Sequence, residues 1–423
     1  MTSDPAPIVA AALPADLLDE LEAVYKDIHA HPELSMQERR TAGIAASWLE
    51  HLGCEVMRDV GGTGVVGLLR NGEGPTVLLR ADMDALPMQE TTGLPYASET
   101  RGVDRFGQDG FVTHSCGHDM HVAWLLGATR ILAENRSAWR GTVMVVFQPG
   151  EETGEGARAM IEDGMVRRFP RPVVALGQHL SPDPAGTIGW RAGAIMSASD
   201  SWEVTIFGRG AHGSMPEKSI DPIVMAASAV LNLQTIVSRQ IGMEEEAVVT
   251  VGSLHAGTSE NTIPEEALLR LNVRSFNEQV RARVLEGIRR IFRAGALGAG
   301  ADREPAIAVL GEHPATRNDE AATRLVAGAF ATHFGTDRVH EMPRVTASED
   351  FGLFGAAWGI PSVFWFVGGT DPAVLDAAER DHAQVPGNHN PAFAPTLHPT
   401  IETGVRAMLA AAGLWLAPKG GAA

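Results

Sequence analysis

Three apolar runs, each ending in ionisable residues, constrain the fold more than anything else in this chain. They are TVLLRADMDALP from Thr76, GTVMVVFQPGEE from Gly141 and VVALGQHL from Val173. Stretches of helical period alternate with them. DLLDELEAVYKDIHA places Leu17, Leu21, Val24, Tyr25 and Ile28 on one face, and HVAWLLGATRILAEN places Val122, Leu125, Leu126 and Ile131 near the same spacing. Strand–helix alternation of this kind predicts an α/β fold with an open mixed sheet and flanking helices. In such sheets ligands sit beyond the carboxyl ends of the strands, where these polar residues fall.

The pattern changes between residues 194 and 313. WEVTIFG reads as a strand, and DPIVMAASAVLNLQTIVSRQI as a helix with Asp221 as N-cap and Pro222 in its first turn. AVVTVGSL and ALLRLNVRSF are strands, EQVRARVLEGIRRIF is a helix and AIAVLGEH is a strand. The order β-α-β-β-α-β is the split βαβ, ferredoxin-like plan. It predicts a separate domain at 194–313 inserted into a discontinuous one at 1–193 and 314–423. The sheet pattern resumes at SVFWFVGG, and a last helix lies near TGVRAMLAAAGLWL.

Charge and cysteine usage limit the partners. There are 34 basic against 52 acidic residues, a net charge of −18, and a chain this acidic repels phosphate backbones. Nucleic acid is therefore not expected, and no apolar run is long enough for a membrane span. The two cysteines, Cys54 and Cys116, are too few for a disulfide framework. The N-terminus lacks a basic segment and carries Asp4 and prolines at 5, 7 and 14, unlike a signal peptide. A cytoplasmic location is the expectation, with a disordered PKGGAA tail. Cys54, in HLGCEVM, reads as a small core residue.

The chemistry concentrates in THSCGHDMH, residues 113–121. Cys116 and His118 are good ligands for zinc-like ions. Glu151 and Glu152 stand side by side just past a strand, where burying both without a cation costs several kcal/mol, of order. One of them reads as a ligand and the other as a general base. His179 closes another strand, and His389 lies in the turn-rich GNHNPAF. Cys116, His118, Glu152, His179 and His389 are too many for one tetrahedral ion with an open position, and they suit two ions sharing a bridging ligand. Asp84 and Asp119 are candidates to take the second N–H of a ligating histidine, and either could instead cap a helix. His114 and His121 stay outside the ligand set. GTGVVG, residues 62–67, has dinucleotide-fingerprint spacing, but the glycines and proline that follow leave no room for the required helix. It reads as a glycine-rich strand or hairpin. In the inserted segment, His212 lies between glycines in GRGAHGSMPE, Asn261 in SENTIPEEA and Arg274 at a strand end in NVRSF.

HAHPELSMQE, RADMDALP, HSCGHDMH, QPGEETGEGA, GQH, GRGAHGSMPE, GTSENTIPE, NVRSF, SEDFG and HNPAF occur in this order between about residues 20 and 410. In that set the chain resembles the N-acyl-amino-acid amidohydrolases: hippurate hydrolase, bacterial aminoacylases and the indole-acetyl-amino-acid hydrolases, cousins of carboxypeptidase G. The resemblance implies a metallo-aminopeptidase-like catalytic domain around two divalent ions (zinc, manganese, cobalt or nickel). It also implies an inserted lid domain that mediates a homodimer or larger homo-oligomer. Carried over by position, Cys116, His118, Glu152, His179 and His389 hold the metals, with Cys116 where cousins use a bridging aspartate. Glu151 is the general base on the water the metals activate. His212 reaches the partner subunit's site, Asn261 and Arg274 bind substrate, and Ser348 and Glu349 fall near the site. The implied activity is hydrolysis of a small N-acyl amino acid to a carboxylic acid and a free amino acid. A dipeptidase or carboxypeptidase with the same metal core is the alternative.

Overall fold

A computed structural model describes residues 13–417. Most of the N-terminal segment read against a signal peptide, and the PKGGAA tail, lie outside the described residues. Among the described residues no helix is long and apolar enough to cross a membrane.

The chain divides into two compact units. The first comprises the residues through Ile195, Arg317–Pro343, and the chain from Asp350 onward. It is built on an eight-stranded mixed sheet. In spatial order the strands are Glu55–Val60, Gly64–Asn71, Gly141–Gln148, Thr76–Asp82, Val174–Pro184, Ser362–Thr370, Ile188–Trp190 and Val339–Glu341. The central strands Gly141–Gln148, Thr76–Asp82, Val174–Pro184 and Ser362–Thr370 run parallel. They are buried along nearly their whole length, as parallel strands covered on both faces must be. GTGVVG enters the second strand of an antiparallel hairpin, with no helix following it.

The helices bury the faces that the sequence periodicity assigns. Ala15–Ala30 buries Leu17, Leu21, Tyr25 and Ile28. His118–Glu134 is buried on nearly every side, with Trp124 wholly inside. It packs closely on Thr400–Leu416: a methyl group on Gly404 would lie 2.2 Å from the Trp124 ring, and the indole N–H donates to Thr400 O at 3.0 Å. Trp124, Trp139, Trp365 and Phe330 belong to one continuous core with these helices. Each aliphatic side chain withdrawn into it contributes roughly 1.5–3 kcal/mol relative to exposure. This core holds the sheet rigid beneath its strand ends.

The second unit comprises Met196–Thr316 and Arg344–Glu349. Its sheet is antiparallel, in the order Ala247–Ala256, Glu266–Ser275, Ala198–Phe207, Ala306–His313. The helices Pro222–Gln240 and Glu278–Gly298 share a core with this sheet through Met225, Leu233, Ile236, Val284 and Phe292. Asp221 caps the first helix by accepting from Ile223 N and Val224 N, with Pro222 at its start. The segment Arg344–Glu349 falls outside the sequence boundaries 194–313. Its carbonyls explain its place: Val345 O and Ala347 O accept from Ser197 N, and Thr346 O accepts from Ser197 Oγ.

Candidate metal centre

The proposed ligands arrive on loops and strand ends of the first unit. Cys116 ends a loop, and Gly117 turns the chain with φ +84° into the helix whose first residue is His118. Only glycine fits easily at that turn, because a Cβ would meet Leu180 Cδ2 at 2.5 Å. Glu151 and Glu152 follow the end of Gly141–Gln148. His179 lies within Val174–Pro184, a strand that runs beyond the end expected from sequence. His389 sits in a loop with φ +65°, a costly left-handed conformation for a residue with a side chain.

These residues converge. Cys116 Sγ lies 3.5 Å from His179 Nε2, and His389 Nε2 lies 3.2 Å from Glu152 Oε2. His118 Nε2 stands 3.8 Å from Glu152 Oε1 and 3.9 Å from Glu151 Oε2. Donor atoms of Cys116, Glu152 and His389 all fall within 4.8 Å of one another, as do those of His118, Glu151 and Glu152. Two ligands about 2.1 Å from one tetrahedral ion are about 3.4 Å apart, so these spacings suit shared cations. His118 is fully buried while the His389 side chain is 54% exposed, so the cluster opens to solvent at His389.

Neighbouring groups leave the right lone pairs available. Asp84 Oδ1 lies 3.2 Å from His118 Nδ1, while its Oδ2 accepts from Glu152 N at 2.9 Å and from Ser35 Oγ at 2.7 Å. One carboxylate thus orients two candidate ligands. His179 Nδ1 donates to Leu180 O at 2.7 Å, which turns its Nε2 lone pair toward the thiol. His121 belongs to a second buried group of possible donors with Asp82, His118 and His179. Both its nitrogens are committed, however: Nδ1 donates to Asp82 Oδ1 at 2.5 Å, and Nε2 accepts from Leu180 N at 2.8 Å. Asp82 is further engaged by Arg80 Nη1 at 2.6 Å. Asp119 departs from its expected place. Its Oδ2 lies 2.6 Å from His29 Nδ1, and its Oδ1 accepts from Met120 N. It supports His29 and not a candidate ligand.

Two buried atoms fit a metal ion in particular. His118 Nε2 and Glu152 Oε1 have no hydrogen-bond partner, although buried polar atoms nearly always have one. They face each other across 3.8 Å. The electrostatics agree. Burial pushes the Cys116 thiol far above its usual range, helped by the charges of Glu152, Glu151 and Asp82. Burial disfavours charge on His118, but Asp82 and Asp84 outweigh it and lift the imidazole to about 10. His179 goes the other way, held well down by burial and by its neighbour His121. A divalent cation among these groups favours the thiolate and the neutral imidazole, which are the ligating forms.

Within the second unit, His212 lies on a short strand paired with Thr262, so His212 and Asn261 share one ribbon. His212 Nδ1 accepts from Ser214 N at 3.1 Å, and Asn261 O accepts from Gly213 N at 2.7 Å. Arg274 donates to Asn272 Oδ1 at 2.8 Å, Ser348 Oγ at 3.2 Å and Thr346 O at 3.5 Å. These contacts are all neutral and give Ser348 a place beside the guanidinium. Glu349 is buried, and its carbonyl accepts from Thr316 Oγ1. Sequence reasoning missed Arg80, Glu38 and Asn388. Arg80 is fully buried, and its Nε donates to Gln148 Oε1 at 2.8 Å. Glu38 Oε1 accepts from Gly150 N at 2.8 Å, just ahead of the paired glutamates. The spacing R-A-D-M-D was a usable signal for Arg80, since residues two apart on a strand share a face.

A mixed-sheet α/β unit that gathers a thiol, imidazoles and paired carboxylates at its loop ends has the build of a metal-dependent hydrolase. Residues 78–411 match peptidase family M20/M25/M40, and the chain belongs to that family. It is a hydrolase of the class that acts on amide bonds. It is 36% identical over 377 residues to N-acetyl-L-cysteine deacetylase of Bacillus subtilis (strain 168), covering 88% of this chain and 83% of that protein. It is 38% identical over 342 residues to hippurate hydrolase of Campylobacter jejuni, covering 80% and 86%. The crystal structure of the Bacillus subtilis YXEP protein, a dinuclear metal-binding peptidase of the M20 family, superposes with a TM-score of 0.76 at 30% identity. That match covers 95% of this chain and 99% of the other.

Proposed function

We propose that the protein hydrolyses N-acyl amino acids, R–CO–NH–CHR′–COO⁻, to a carboxylic acid and a free amino acid. One observation carries this reading. The partnerless His118 Nε2 and Glu152 Oε1 face each other inside a cluster completed by Cys116, His179 and His389, with the Glu151 carboxylate 3.9 Å from the same His118 nitrogen. In this reading those five residues would hold two divalent ions (zinc, manganese, cobalt or nickel), and Asp84 fixes His118. Bound there, the ions supply Lewis acidity toward the amide carbonyl and the attacking water.

Glu151 takes a proton from the water as its oxygen bonds to the carbonyl carbon. It returns that proton to the nitrogen as the C–N bond breaks, so the amine does not leave as an anion. Arg274 pairs with the substrate carboxylate, with Ser348 and Asn272 steering its guanidinium. Asn261 also binds substrate. His212, from the second unit of a partner subunit, donates to the carbonyl oxygen as negative charge builds there. The second unit thereby acts as a lid and as the dimerisation surface.

The decisive experiment compares Glu151→Gln with wild type on N-acetyl and N-benzoyl amino acids and on dipeptides. The variant keeps its metal content and loses roughly 10²–10⁴-fold in kcat. A variant with near-normal turnover refutes the base assignment. Preference for dipeptides over N-acyl amino acids assigns the same metal core to a dipeptidase or carboxypeptidase.

A further inference from the structure

Asn388 makes contacts that neither the sequence motifs nor the catalytic reading uses. Its Nδ2 donates to Cys116 O at 3.1 Å and to Leu180 O at 3.2 Å, and lies 3.8 Å from Cys116 Sγ. Both short contacts are to carbonyl oxygens, so only the NH₂ end of the amide can face them. Leu180 O is the same oxygen that receives His179 Nδ1–H. The next residue along the chain is His389, whose N–H donates to Ser115 O at 2.8 Å. One amide therefore touches the carbonyl that sets the His179 ring, the backbone and sulfur of Cys116, and the loop that presents His389.

We infer that Asn388 is a positioning residue of the metal centre, acting through the Cys116 thiolate and the shared Leu180 carbonyl. The inference rests on the ligand assignment proposed above. Two effects follow from its geometry. The bonds to Cys116 O and Leu180 O hold three ligand-bearing segments in register, and they over-determine the left-handed backbone at His389. With both N–H groups given to the two carbonyls, the positive end of the amide dipole still lies 3.8 Å from the sulfur and favours charge on the thiolate, a recognised way of tuning a metal–thiolate site. Removing partners of this kind usually costs 10–100-fold in metal affinity.

The test uses the full-length protein loaded with Zn²⁺ or Co²⁺ alone. Affinities are measured by competition with a chromophoric chelator, and the thiolate-to-cobalt charge-transfer band is recorded. Asn388→Ala should bind both ions about 10–100-fold more weakly, with the band displaced from the wild-type position. Asn388→Asp, which turns a carboxylate toward two carbonyls and a thiolate, should bind more weakly in the Cys116 half of the centre than its added charge alone would suggest, and should displace the band further. Asn390→Ala is the control. It removes the cap from Asn390 Oδ1 to Ala392 N in the same loop but leaves the Asn388 contacts, and should change neither readout. Should Asn388→Ala fail to fold, Asn388→Ser, whose hydroxyl stops one bond short of the amide nitrogen and has one hydrogen for two carbonyls, is expected to show the same band displacement. Wild-type affinity and band position in the Asn388 variants overturn the inference. So does an Asn390→Ala variant that matches Asn388→Ala in both, because the effect is then loop packing. Wild-type protein that binds neither ion refutes the ligand assignment itself.

Discussion

Gly117 sits between two proposed ligands and does two things that no other residue does cheaply. It adopts φ +84°, and it lets the turn pass Leu180 where a Cβ would come within 2.5 Å of a methyl carbon. An alanine there meets a left-handed penalty of roughly 1–2 kcal/mol and pushes on the residue whose carbonyl orients His179. Gly117→Ala should leave the protein folded but weaken metal binding at least about tenfold, as measured by chelator competition. Unchanged affinity would show that the centre tolerates a shifted turn. The same stretch shows why some supporting residues were legible and others not. Asp84 and Asp119 both looked suited to hold a ligating histidine, and only Asp84 reaches His118. Successive residues on a helix point about 100° apart, so a carboxylate directly after His118 is carried away from it. Asn388 was invisible in sequence because its partners are backbone carbonyls, which leave no trace in residue identity.

The helix Ala15–Ala30 is joined to His118–Glu134 by more than apolar packing. His29, on the first, lies 2.6 Å from Asp119 on the second and 3.2 Å from Glu90. Burial opposes a charge on this imidazole, but the two carboxylates prevail and raise it to about 9 from an ordinary 6.5. A raised histidine contributes fully below the unfolded pKa and loses its contribution as pH climbs through the folded one. The window is thus pH 6.5 to about 9, and the amount is on the order of 3 kcal/mol. Urea midpoints of wild type and His29→Asn should therefore differ most near pH 6 and draw together by pH 10. A difference that stays constant over that range would show that His29 is not held as the cation. Both helices were readable from their apolar faces, whereas the ion cluster between them was not. Periodicity reports which face is buried and is silent on which charges share the interior.

At the scale of the molecule, the proposed machinery is divided between two compact units. Glu151 belongs to the first, and His212, Asn261 and Arg274 belong to the second. If His212 serves a partner subunit, Glu151→Gln and His212→Ala complement each other. A mixed dimer then carries one doubly damaged site and one intact site. Random reassortment of equal amounts should restore roughly a quarter of wild-type activity, measured after the subunit exchange expected of a two-fold dimer is verified. No recovery in verified mixed dimers counts against action across subunits. The main strand and helix order of the second unit and the central strands of the first were written in their hydrophobic patterns, whereas the helices Arg39–His51 and Glu320–Phe334 were not read. Nor was the Arg344–Glu349 segment of the second unit, since it joins through backbone bonds to Ser197.

His389 lies far along the chain from Cys116, yet it completes the group that Cys116 and Glu152 begin. A nascent polypeptide emerging from the ribosome therefore presents its thiol, two imidazoles and paired acids long before the outermost donor is synthesised. If these residues hold two ions as proposed, capture of the full pair is a late event in the making of this enzyme, gated by completion of its final segment.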